Sequence, residues 1–559
     1  MPTITLDIKY FRELLGFSID DKMLEEQIAK LGFEVEGIGK DEIKIEITPN
    51  RPDLFDAVGM SRAIRNFMHR TKSFRYKIAN DKPAIVISVG DKIKRIRPFV
   101  AGMVVKGLKL DEKSLANLIK FMDKFCDTFG RDRRKIAIGM HDLSKINGPL
   151  EYDAYTDEEF IPLNGNSAEM FSEIMKTNEK GIKYGDTIPP GKKRLYPALK
   201  DTEGILALIP IINSDRTKVS VGTRSLLIDI TGSSEYYVDK TADMLASLFI
   251  DMKGSVEKVE IVYKGEGTLS PKMESKQMQI PISMLENEIG VRIGSNNVIS
   301  LANKMGYEAA LLGNKILFNV PEYRFDVINE QDIVEDVAIA YGYDYIQQIA
   351  IPNYDAGALE EKSILISKIK DLMIGYGFSE AMNTYFTNED TNFVKMRLQE
   401  PSNASIKLKN SRMQSITMMR TWIIPSLLGN LGRSASEKMP QRIFEIDLTF
   451  MIEDEKIHED IHLAAVSVDP KANFNDIKAV CEGLLSTLEI KYNLTEAEKK
   501  SFIQGRVADA ESESVTIGFF GEVHPEVLNN FGIEEPTIGF EINLSLLYGW
   551  KASSKAIRE

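Results

Sequence analysis

The sequence predicts a multidomain α/β and α+β protein. Its 559 residues suffice for three to five domains at about 150 residues each. Apolar and polar residues alternate strictly over 43–47, which predicts a half-buried strand, and an apolar run over 225–232 predicts a second strand. Between Asp332 and Tyr341 the apolar residues instead recur at helical spacing. Both periodicities along one long chain predict several mixed domains.

The composition is that of an ordinary globular protein, with 43% hydrophobic and 27% charged residues. No run of about eighteen apolar residues occurs, so the sequence predicts no membrane span. The N-terminus lacks the basic and apolar layout of a signal peptide. The two cysteines, Cys126 and Cys481, lie far apart and are expected to be buried thiols in a reducing, cytoplasmic setting.

A net charge of −13 argues against general binding to polyanions. Contact with a nucleic acid would need local basic runs. Three such runs occur, at 62–77 with interleaved Phe67, Phe74 and Tyr76, at 131–135 and at 192–194. Because most basic runs are solvated faces, these runs alone do not establish a nucleic-acid interface.

Residues 1–80 form the first predicted domain, a small mixed one. A short strand at 4–7 and two helices precede the strand at 43–47, and a turn at 48–54 has its backbone fixed by two prolines. An amphipathic helix with Leu54, Val58 and Ile64 on one face follows. Arg51 and Asp53 are expected to cap the turn rather than to take part in catalysis.

Residues 81–270 form a larger predicted α/β domain. Strands are expected at 84–89, 99–105, 135–143, 205–214 and 225–232, with a helix at 115–125, and the strand at 225–232 closes this series. Asp229 and Thr231 lie on one face of the closing strand because side chains alternate along a strand.

Two alternatives stay open for the polar residues of this domain. Asp229 and Thr231 either line a pocket or cap a turn at 232–234. Asn213 and Ser214 lie at the end of a neighbouring strand. His141 is a tempting general base, but a structural role is the more common one for such a histidine.

An acidic stretch at 321–345 organises the third predicted domain, residues 271–350. Asp332, Glu335 and Asp336 stand at helical positions i, i+3 and i+4, so we expect them on one face, with Asp326 closing over it. Crowded carboxylates favour a hard cation such as Mg²⁺. Alternatively, the acids suit the positive end of a helix dipole, and Arg324 neutralises them. A helix at 298–307 and a hairpin around 313–314 predict a winged-helix-like module.

Residues 351–559 form the last predicted domain, entered through a linker at 352–357. A helix at 364–374 and strands at 441–446 and 517–523 predict an α/β unit. No phosphate-binding or dinucleotide-binding glycine motif occurs in the chain.

Four sets of motifs resemble the phenylalanyl-tRNA synthetase β-subunit family, in its archaeal or eukaryotic form. The run from Tyr323-Arg324-x-Asp326 through Asp332-x-x-Glu335-Asp336 to Tyr341-Gly342-Tyr343 looks like its magnesium-binding B5 domain. The turn TPNRPD resembles its N-terminal B1 domain, and IAIGMHDL, IPIINSD and LLIDITG resemble its B3/B4 editing domain. Residues 351–559 resemble its copy of the class II synthetase fold, an antiparallel sheet with helices.

The resemblance implies a β subunit of phenylalanine–tRNA ligase in an α₂β₂ enzyme that uses ATP and Mg²⁺. The α chain would hold phenylalanine and ATP, and both chains would contact tRNA(Phe). The implied metal ligands are Asp326, Asp332, Glu335 and Asp336, and the implied editing residues, which hydrolyse mischarged tyrosyl-tRNA, are Asp229, Thr231, Asn213 and Ser214.

The last domain departs from an active class II pattern. Arg442 and Glu445 are spaced R-x-x-E instead of R-x-E, and no glycine-rich, arginine-ended strand follows Phe540. The domain is therefore expected to be non-catalytic. Two other functions stay open: a non-catalytic tRNA-binding scaffold, and a free-standing metal-dependent hydrolase whose acidic cluster would have to line an open cleft.

Overall fold

The computed structural model describes residues 2–70, 76–190, 194–350, 356–399, 404–411, 413, 415–549 and 555–556. The predicted linker at 352–355 lies outside the described residues, as do Phe74, Lys192 and Lys193 of the basic runs. The chain divides into two compact units, residues 1–350 and 351–559. Among the described residues, no helix has both the length and the apolar character needed to cross a membrane.

The first unit begins with a three-stranded sheet, ordered β1-β3-β2, and three helices. The elements are β1 Thr3–Asp7, α1 Ile8–Leu15, α2 Asp21–Lys30, β2 Glu34–Ile38, β3 Glu42–Glu46 and α3 Ala57–Phe67. The strand predicted at 43–47 is β3, where Ile43 and Ile45 are fully buried between exposed neighbours. Asp20 accepts a hydrogen bond from the Met23 N–H at the start of α2.

The proline-rich turn ends in a buried network of charges. Arg51 Nε donates to the Asp53 carboxylate at 2.9 Å, which is the expected cap of the turn. Arg62 on α3 donates to Asp251 at 2.7 Å and lies 3.7 Å from the ring centre of Tyr323. Since these partners come from all three predicted domains of the first unit, the network ties them together. One continuous apolar cluster, from Ile4 to Ala340, does the same.

Replacing Asp56 with asparagine is expected to remove a pH dependence from the stability of the first unit. The buried Asp56 carboxylate caps α3 by accepting from the Gly59 N–H at 2.8 Å, and burial raises its pKa to about 6. Because the pKa of this carboxyl is higher in the folded chain, its protonated form stabilises the folded state. This stabilisation is complete below the pKa of the unfolded chain and is lost as the pH rises through 6. The free energy of unfolding of the variant, relative to that of wild type, should be about 2–3 kcal/mol higher at pH 7 than at pH 4. Urea unfolding at the two pH values measures it.

The matched control is Asp20→Asn, since Asp20 caps α2 in the same way but is exposed. Its difference from wild type should change much less between the two pH values. An Asp56→Asn difference that is the same at pH 4 and pH 7 would contradict the assignment of this titration to Asp56.

A ten-stranded mixed sheet forms the middle of the first unit, with order β12-β11-β10-β7-β4-β14-β5-β13-β6 and β15 paired to β14. The strands are β4 Asn80–Val89, β5 Phe99–Lys106, β6 Ile136–Asp142, β7 Leu150–Tyr155, β10 Tyr196–Asp201, β11 Gly204–Leu208, β12 Ile212–Asn213, β13 Ser225–Gly232, β14 Ser255–Tyr263 and β15 Glu266–Ser270. A small hairpin and four helices accompany them: β8 Glu159–Phe160, β9 Glu169–Met170, α4 Glu112–Asp127, α5 Phe171–Thr177, α6 Glu179–Tyr184 and α7 Glu235–Asp251.

This sheet corrects two expectations. The strand at 225–232 does not close the series, because α7, β14 and β15 follow it and β14 pairs in parallel with β4. The strand expected over 205–214 is divided into β11 and β12, since Pro210 has no N–H to offer a ladder. Along β13, Ile228 and Ile230 join the apolar cluster that contains α4 and α7, whereas Leu227 joins a separate cluster on the opposite face.

The last part of the first unit packs three helices on a three-stranded sheet, ordered β16-β18-β17. Its elements are β16 Lys276–Pro281, α8 Ile282–Ile289, α9 Ser295–Lys304, β17 Glu308–Leu312, β18 Lys315–Val320 and α10 Glu330–Tyr341. The predicted hairpin is present as β17 and β18, but β16 was not predicted. The helix α9 ends before Gly306, which has φ +91°.

The second unit is an eight-stranded sheet, ordered β19-β22-β23-β27-β26-β25-β24, with β28 paired to β23. The sheet strands are β19 Ser379–Glu380, β22 Gln441–Glu453, β23 Lys456–Val468, β24 Asn493–Glu496, β25 Phe502–Ser512, β26 Val515–Val523, β27 Thr537–Asn543 and β28 Lys555–Ala556. The pair β20 Phe386–Thr387 and β21 Met418–Met419 stands apart. The helices are α11 Glu361–Gly375, α12 Ile424–Arg433, α13 Phe474–Thr487, α14 Pro525–Phe531 and α15 Leu544–Leu547.

The main sheet is antiparallel except for the short pairing of β19 with β22. Apolar residues of α11 and α13 pack in one cluster, and those of α12 and α14 pack in another. The predicted fold class, mixed α/β and α+β domains with an antiparallel sheet at the C-terminal end, is confirmed.

Candidate functional site

Two of the predicted editing residues are buried on β13, next to the β6 end of the large sheet. Asp229 and Thr231 share one face of β13, which runs between β5 and β6. Asp229 is 2% exposed and Thr231 is 1% exposed. The alternative, that they cap a turn after Gly232, does not match these contacts, because both side chains make buried hydrogen bonds within the sheet region.

The Asp229 carboxylate is held by a buried histidine. His141 Nε2 lies 3.1 Å from Asp229 Oδ1, and its Nδ1 lies 2.8 Å from Thr217 Oγ1. Because an ionised carboxylate only accepts hydrogen bonds, Nε2 carries the proton in this contact. In the neutral ring, Nδ1 then accepts from the Thr217 hydroxyl. His141 is fully buried, in keeping with the expected structural role, but it also orients a predicted site residue.

A glycine makes room for the Asp229 carboxylate. Gly139 on β6 pairs with Asp229 in the ladder. A Cβ atom at Gly139 would lie 2.0 Å from Asp229 Oδ1, far inside van der Waals contact. A glycine within a strand often marks such a close approach. This glycine is the central residue of the IAIGMHDL motif, so the motif carried a signal that the sequence analysis did not use.

Thr231 is held by a buried arginine that the sequence analysis missed. Arg97 Nε donates to Thr231 Oγ1 at 2.9 Å, and Arg97 Nη2 donates to the Thr231 carbonyl at 2.7 Å. Arg97 Nη1 donates to the carbonyl of Arg133 at 2.9 Å. Nothing in the local sequence around Arg97 distinguishes it from the neighbouring exposed basic residues.

The other two predicted editing residues have different surroundings. The Asn213 amide donates to the Met140 carbonyl on β6 at 3.1 Å, which brings β12 to the strand that carries His141. Ser214 caps the turn after β12 by accepting from the Arg216 N–H at 3.3 Å. The structure therefore places Asn213 beside the strand of the Asp229 cluster, whereas Ser214 has a capping role.

The acidic cluster encloses an arginine. Arg324 Nε donates to Asp326 at 2.9 Å, and Arg324 Nη2 donates to Asp336 at 2.6 Å. The Tyr307 hydroxyl also donates to Asp336. Burial alone would lower the pKa of Arg324, but the two carboxylates raise it well above its usual value. Arg324 thus places a positive charge between Asp326 and Asp336, as the alternative interpretation of the sequence anticipated.

The remaining two predicted metal ligands point elsewhere. Asp332 turns back to accept from the backbone N–H groups of Ile328 and Asn329, which closes a capping box at the start of α10. Glu335 is exposed. Within the described ranges, no group of three or more acidic, histidine or cysteine side chains is arranged to hold a metal ion. The four carboxylates therefore do not fit a shared metal cage formed by this chain alone.

Two charged residues of the second unit form a buried ion pair. Arg420 is fully buried and donates to Glu445 at 2.6 Å, and Asn383 donates to the same carboxylate at 2.7 Å. Arg442 lies at the exposed start of β22. Arg420 Nε also donates to the Leu448 carbonyl at 3.0 Å, so this arginine is held inside the unit.

Models of three protein families match successive parts of the chain. The B3/4 domain matches residues 81–252, and the tRNA synthetase B5 domain matches residues 278–343. The phenylalanyl tRNA synthetase beta chain CLM domain matches residues 349–544. The order of the three matches is the order that the sequence motifs predicted.

Whole proteins of known family are similar over nearly the full chain. The phenylalanine–tRNA ligase beta subunit of Methanocaldococcus jannaschii is 33% identical over 97% of this chain and 100% of its own length. That of Archaeoglobus fulgidus is 32% identical over 98% and 99%. A crystal structure of an N-terminal fragment of the Pyrococcus horikoshii phenylalanyl-tRNA synthetase beta subunit has a TM-score of 0.59 and 31% identity, covering 61% of this chain and 100% of the fragment. The chain belongs to the phenylalanine–tRNA ligase beta-subunit family.

Proposed function

We propose that this chain proofreads tRNA(Phe) by hydrolysing tyrosyl-tRNA at the buried cluster around Asp229 and Thr231. The observation that supports this most is a buried polar pair on the face of β13 that also carries Leu227, each member fixed by a buried partner. Burying polar side chains is costly, and here both are held in fixed positions by buried partners, so we take the pair as support for a binding role.

Recognition of tyrosine follows from the chemistry of Asp229. Tyrosine differs from phenylalanine by one hydroxyl group, and a carboxylate accepts a hydrogen bond from it. A site built to bind a hydroxyl rejects the analogue that lacks it strongly, because the buried partner is then left unpaired. His141 and Gly139 keep the Asp229 carboxylate in one place, which such discrimination requires.

The remaining partners are proposals that follow from the family. An α chain would attach phenylalanine to tRNA(Phe) with ATP, in an enzyme of two α and two β chains. Both chains would contact the tRNA, and the second unit of this chain would support the α chain. The buried thiols of Cys126 and Cys481 suit a reducing cytoplasm.

In this proposal, only two of the four carboxylates are left as possible ligands for Mg²⁺. Arg324 supplies the cation that Asp326 and Asp336 need, so only Asp332 and Glu335 remain for an ion at this cluster. Mg²⁺ commonly binds through one or two carboxylates and keeps its waters, so further ligands would come from outside this chain. No step of the proposed hydrolysis passes through such an ion. Asp336 is 5% exposed and the Asp326 side chain is 9% exposed, which also disfavours a free-standing metal-dependent hydrolase.

The test is deacylation of tyrosyl-tRNA by the purified complex of α and β chains. Wild type should clear tyrosyl-tRNA and leave phenylalanyl-tRNA largely intact. The variant with Asp229→Ala and Thr231→Ala should deacylate much more slowly, yet the complex should still aminoacylate. A wild-type complex that leaves tyrosyl-tRNA intact would rule out editing, and the chain would then be a non-catalytic scaffold subunit.

A further inference from the structure

Arg97 is a buried cation without a carboxylate partner. It is 4% exposed, and its side-chain donors bind the Thr231 hydroxyl and three backbone carbonyls, those of Thr231, Arg133 and Arg134. Within the described part of the chain, Arg97 forms no ion pair. Buried charges are usually paired, but the carboxylate that acts on Arg97 here, that of Asp229, makes no direct contact with it, so a buried positive charge lies beside the candidate site.

The contact with Arg97 determines how Thr231 can bind a ligand. A guanidinium only donates hydrogen bonds, whereas a hydroxyl has one proton and two lone pairs. Thr231 Oγ1 must therefore accept from Arg97, and its own proton stays available for another acceptor. Among the described residues, no group accepts that proton. Thr231 thus presents a donor on the face of β13 that it shares with Asp229.

The charge of Arg97 makes that donor stronger. Burial lowers the pKa of Arg97, but a guanidinium in a protein stays protonated. Hydrogen bonds that involve an ionised group are shorter and stronger than neutral ones. A fixed donor next to a buried positive charge stabilises negative charge that develops on a nearby oxygen, because the site needs no reorganisation.

The other side of Arg97 is anchored to a strained turn. Arg131, Asp132 and Arg133 have positive φ angles of 52°, 51° and 64°, which are costly for residues other than glycine. Arg97 binds the last carbonyls of this turn, and Arg133 Nη1 donates to the carbonyl of Ile211 at 2.9 Å. Such a turn persists only where its surroundings hold it, so the guanidinium has one fixed orientation.

We propose that Arg97 is a positioning residue of the editing site, which holds the Thr231 hydroxyl as a donor to the ester carbonyl oxygen of tyrosyl-tRNA. This proposal rests on the proposed editing function. In the reaction, a water oxygen bonds to the ester carbon, and the carbonyl electron pair moves to the oxygen that faces Thr231. When the carbonyl reforms, the bond to the ribose oxygen breaks, and that oxygen takes the proton from water. Tyrosine and free tRNA leave, and no other reactant is needed.

The experiment is a double-mutant cycle on tyrosyl-tRNA deacylation by the α–β complex. Thr231→Val removes the donor and keeps the shape, and it should lower kcat by about 100-fold with KM nearly unchanged. Arg97→Lys keeps the positive charge but loses the planar guanidinium with its several N–H donors, and it should lower kcat by about 10- to 100-fold. Combined, the two changes should lower kcat by clearly less than the product of their separate effects, because both remove the Arg97–Thr231 hydroxyl contact. Thr231→Ser should restore most of the rate.

Three controls separate this role from a structural one. Arg95→Lys, two residues away and exposed, should leave deacylation unchanged. Aminoacylation by every variant complex should match wild type, which reports that the chain has folded. Additive losses in the cycle, or an Arg97→Lys rate equal to wild type, would overturn the proposal and leave editing intact. If wild type itself fails to deacylate, the editing function fails and this proposal fails with it.

Discussion

A chain in which leucine replaces Arg324 is expected to unfold with a free energy about 3–5 kcal/mol below that of wild type. The Arg324 side chain is 3% exposed, and those of its partners Asp326 and Asp336 are 9% and 7% exposed. Removing the guanidinium leaves two carboxylates out of water with no positive charge between them. The penalty for an uncompensated buried charge exceeds what the pair itself contributes, which makes this one of the largest single-residue effects in the chain. Urea unfolding of the full chain measures it.

Arg292→Leu is the matched control, because Arg292 is an exposed arginine in the same region. Its effect should stay within about 0.5 kcal/mol. Magnesium chloride gives a second readout: the Tm of Arg324→Leu should rise with added Mg²⁺, since the freed carboxylates suit a hard cation, whereas wild type should respond weakly. A loss no greater than that of the control, together with a strong wild-type response to Mg²⁺, would contradict the assignment of Arg324 as the internal cation.

The acidic cluster shows what periodicity predicts and what it leaves open. The helical spacing from Asp332 correctly indicated α10. Spacing alone could not say that Asp332, in the first turn, folds back onto its own N-cap while Asp336, one turn later, faces the interior. That outcome depends on Arg324, which the loop before the helix brings to the same place. Helical spacing thus predicts which side chains share a face, whereas the residues that pack on that face come from distant parts of the chain.

For the cluster around Asp229 and Thr231, too, the sequence pattern predicted the face of the strand but not the partners. Alternation along β13 correctly placed Asp229 and Thr231 on one face. Their hydrogen-bond partners could not be predicted from the local sequence, because Arg97 is 134 residues from Thr231 and His141 is 88 residues from Asp229. Strand order brings them together, because β13 pairs with β5, which follows Arg97, and with β6, which carries His141.

Gly139→Ala is the second change with a large expected effect. The added Cβ would lie 2.0 Å from Asp229 Oδ1, and real Cβ contacts lie beyond about 3 Å, so the carboxylate must move by about 1 Å. The backbone of β6 needs no change, since Gly139 does not have a positive φ angle. A shift of that size breaks the 3.1 Å contact with His141 and displaces the carboxylate that we propose recognises tyrosine. Misplacement by about 1 Å can cost 100-fold in rate.

The control for this change is Gly37→Ala on the exposed strand β2, where an added Cβ has no neighbour within 4 Å. It should leave both activities of the complex unchanged. It therefore reports any general cost of adding a methyl group to a strand glycine in the first unit.

The central proposal is that the Asp229 carboxylate, packed against Gly139, recognises tyrosine. The most direct test is the rate of tyrosyl-tRNA deacylation by the α–β complex that carries Gly139→Ala. We expect that rate to fall about 100-fold or more, while aminoacylation with phenylalanine stays at the wild-type level. Deacylation at the wild-type rate, in a complex whose wild-type form edits, would show that the position of Asp229 does not determine recognition and would contradict the account.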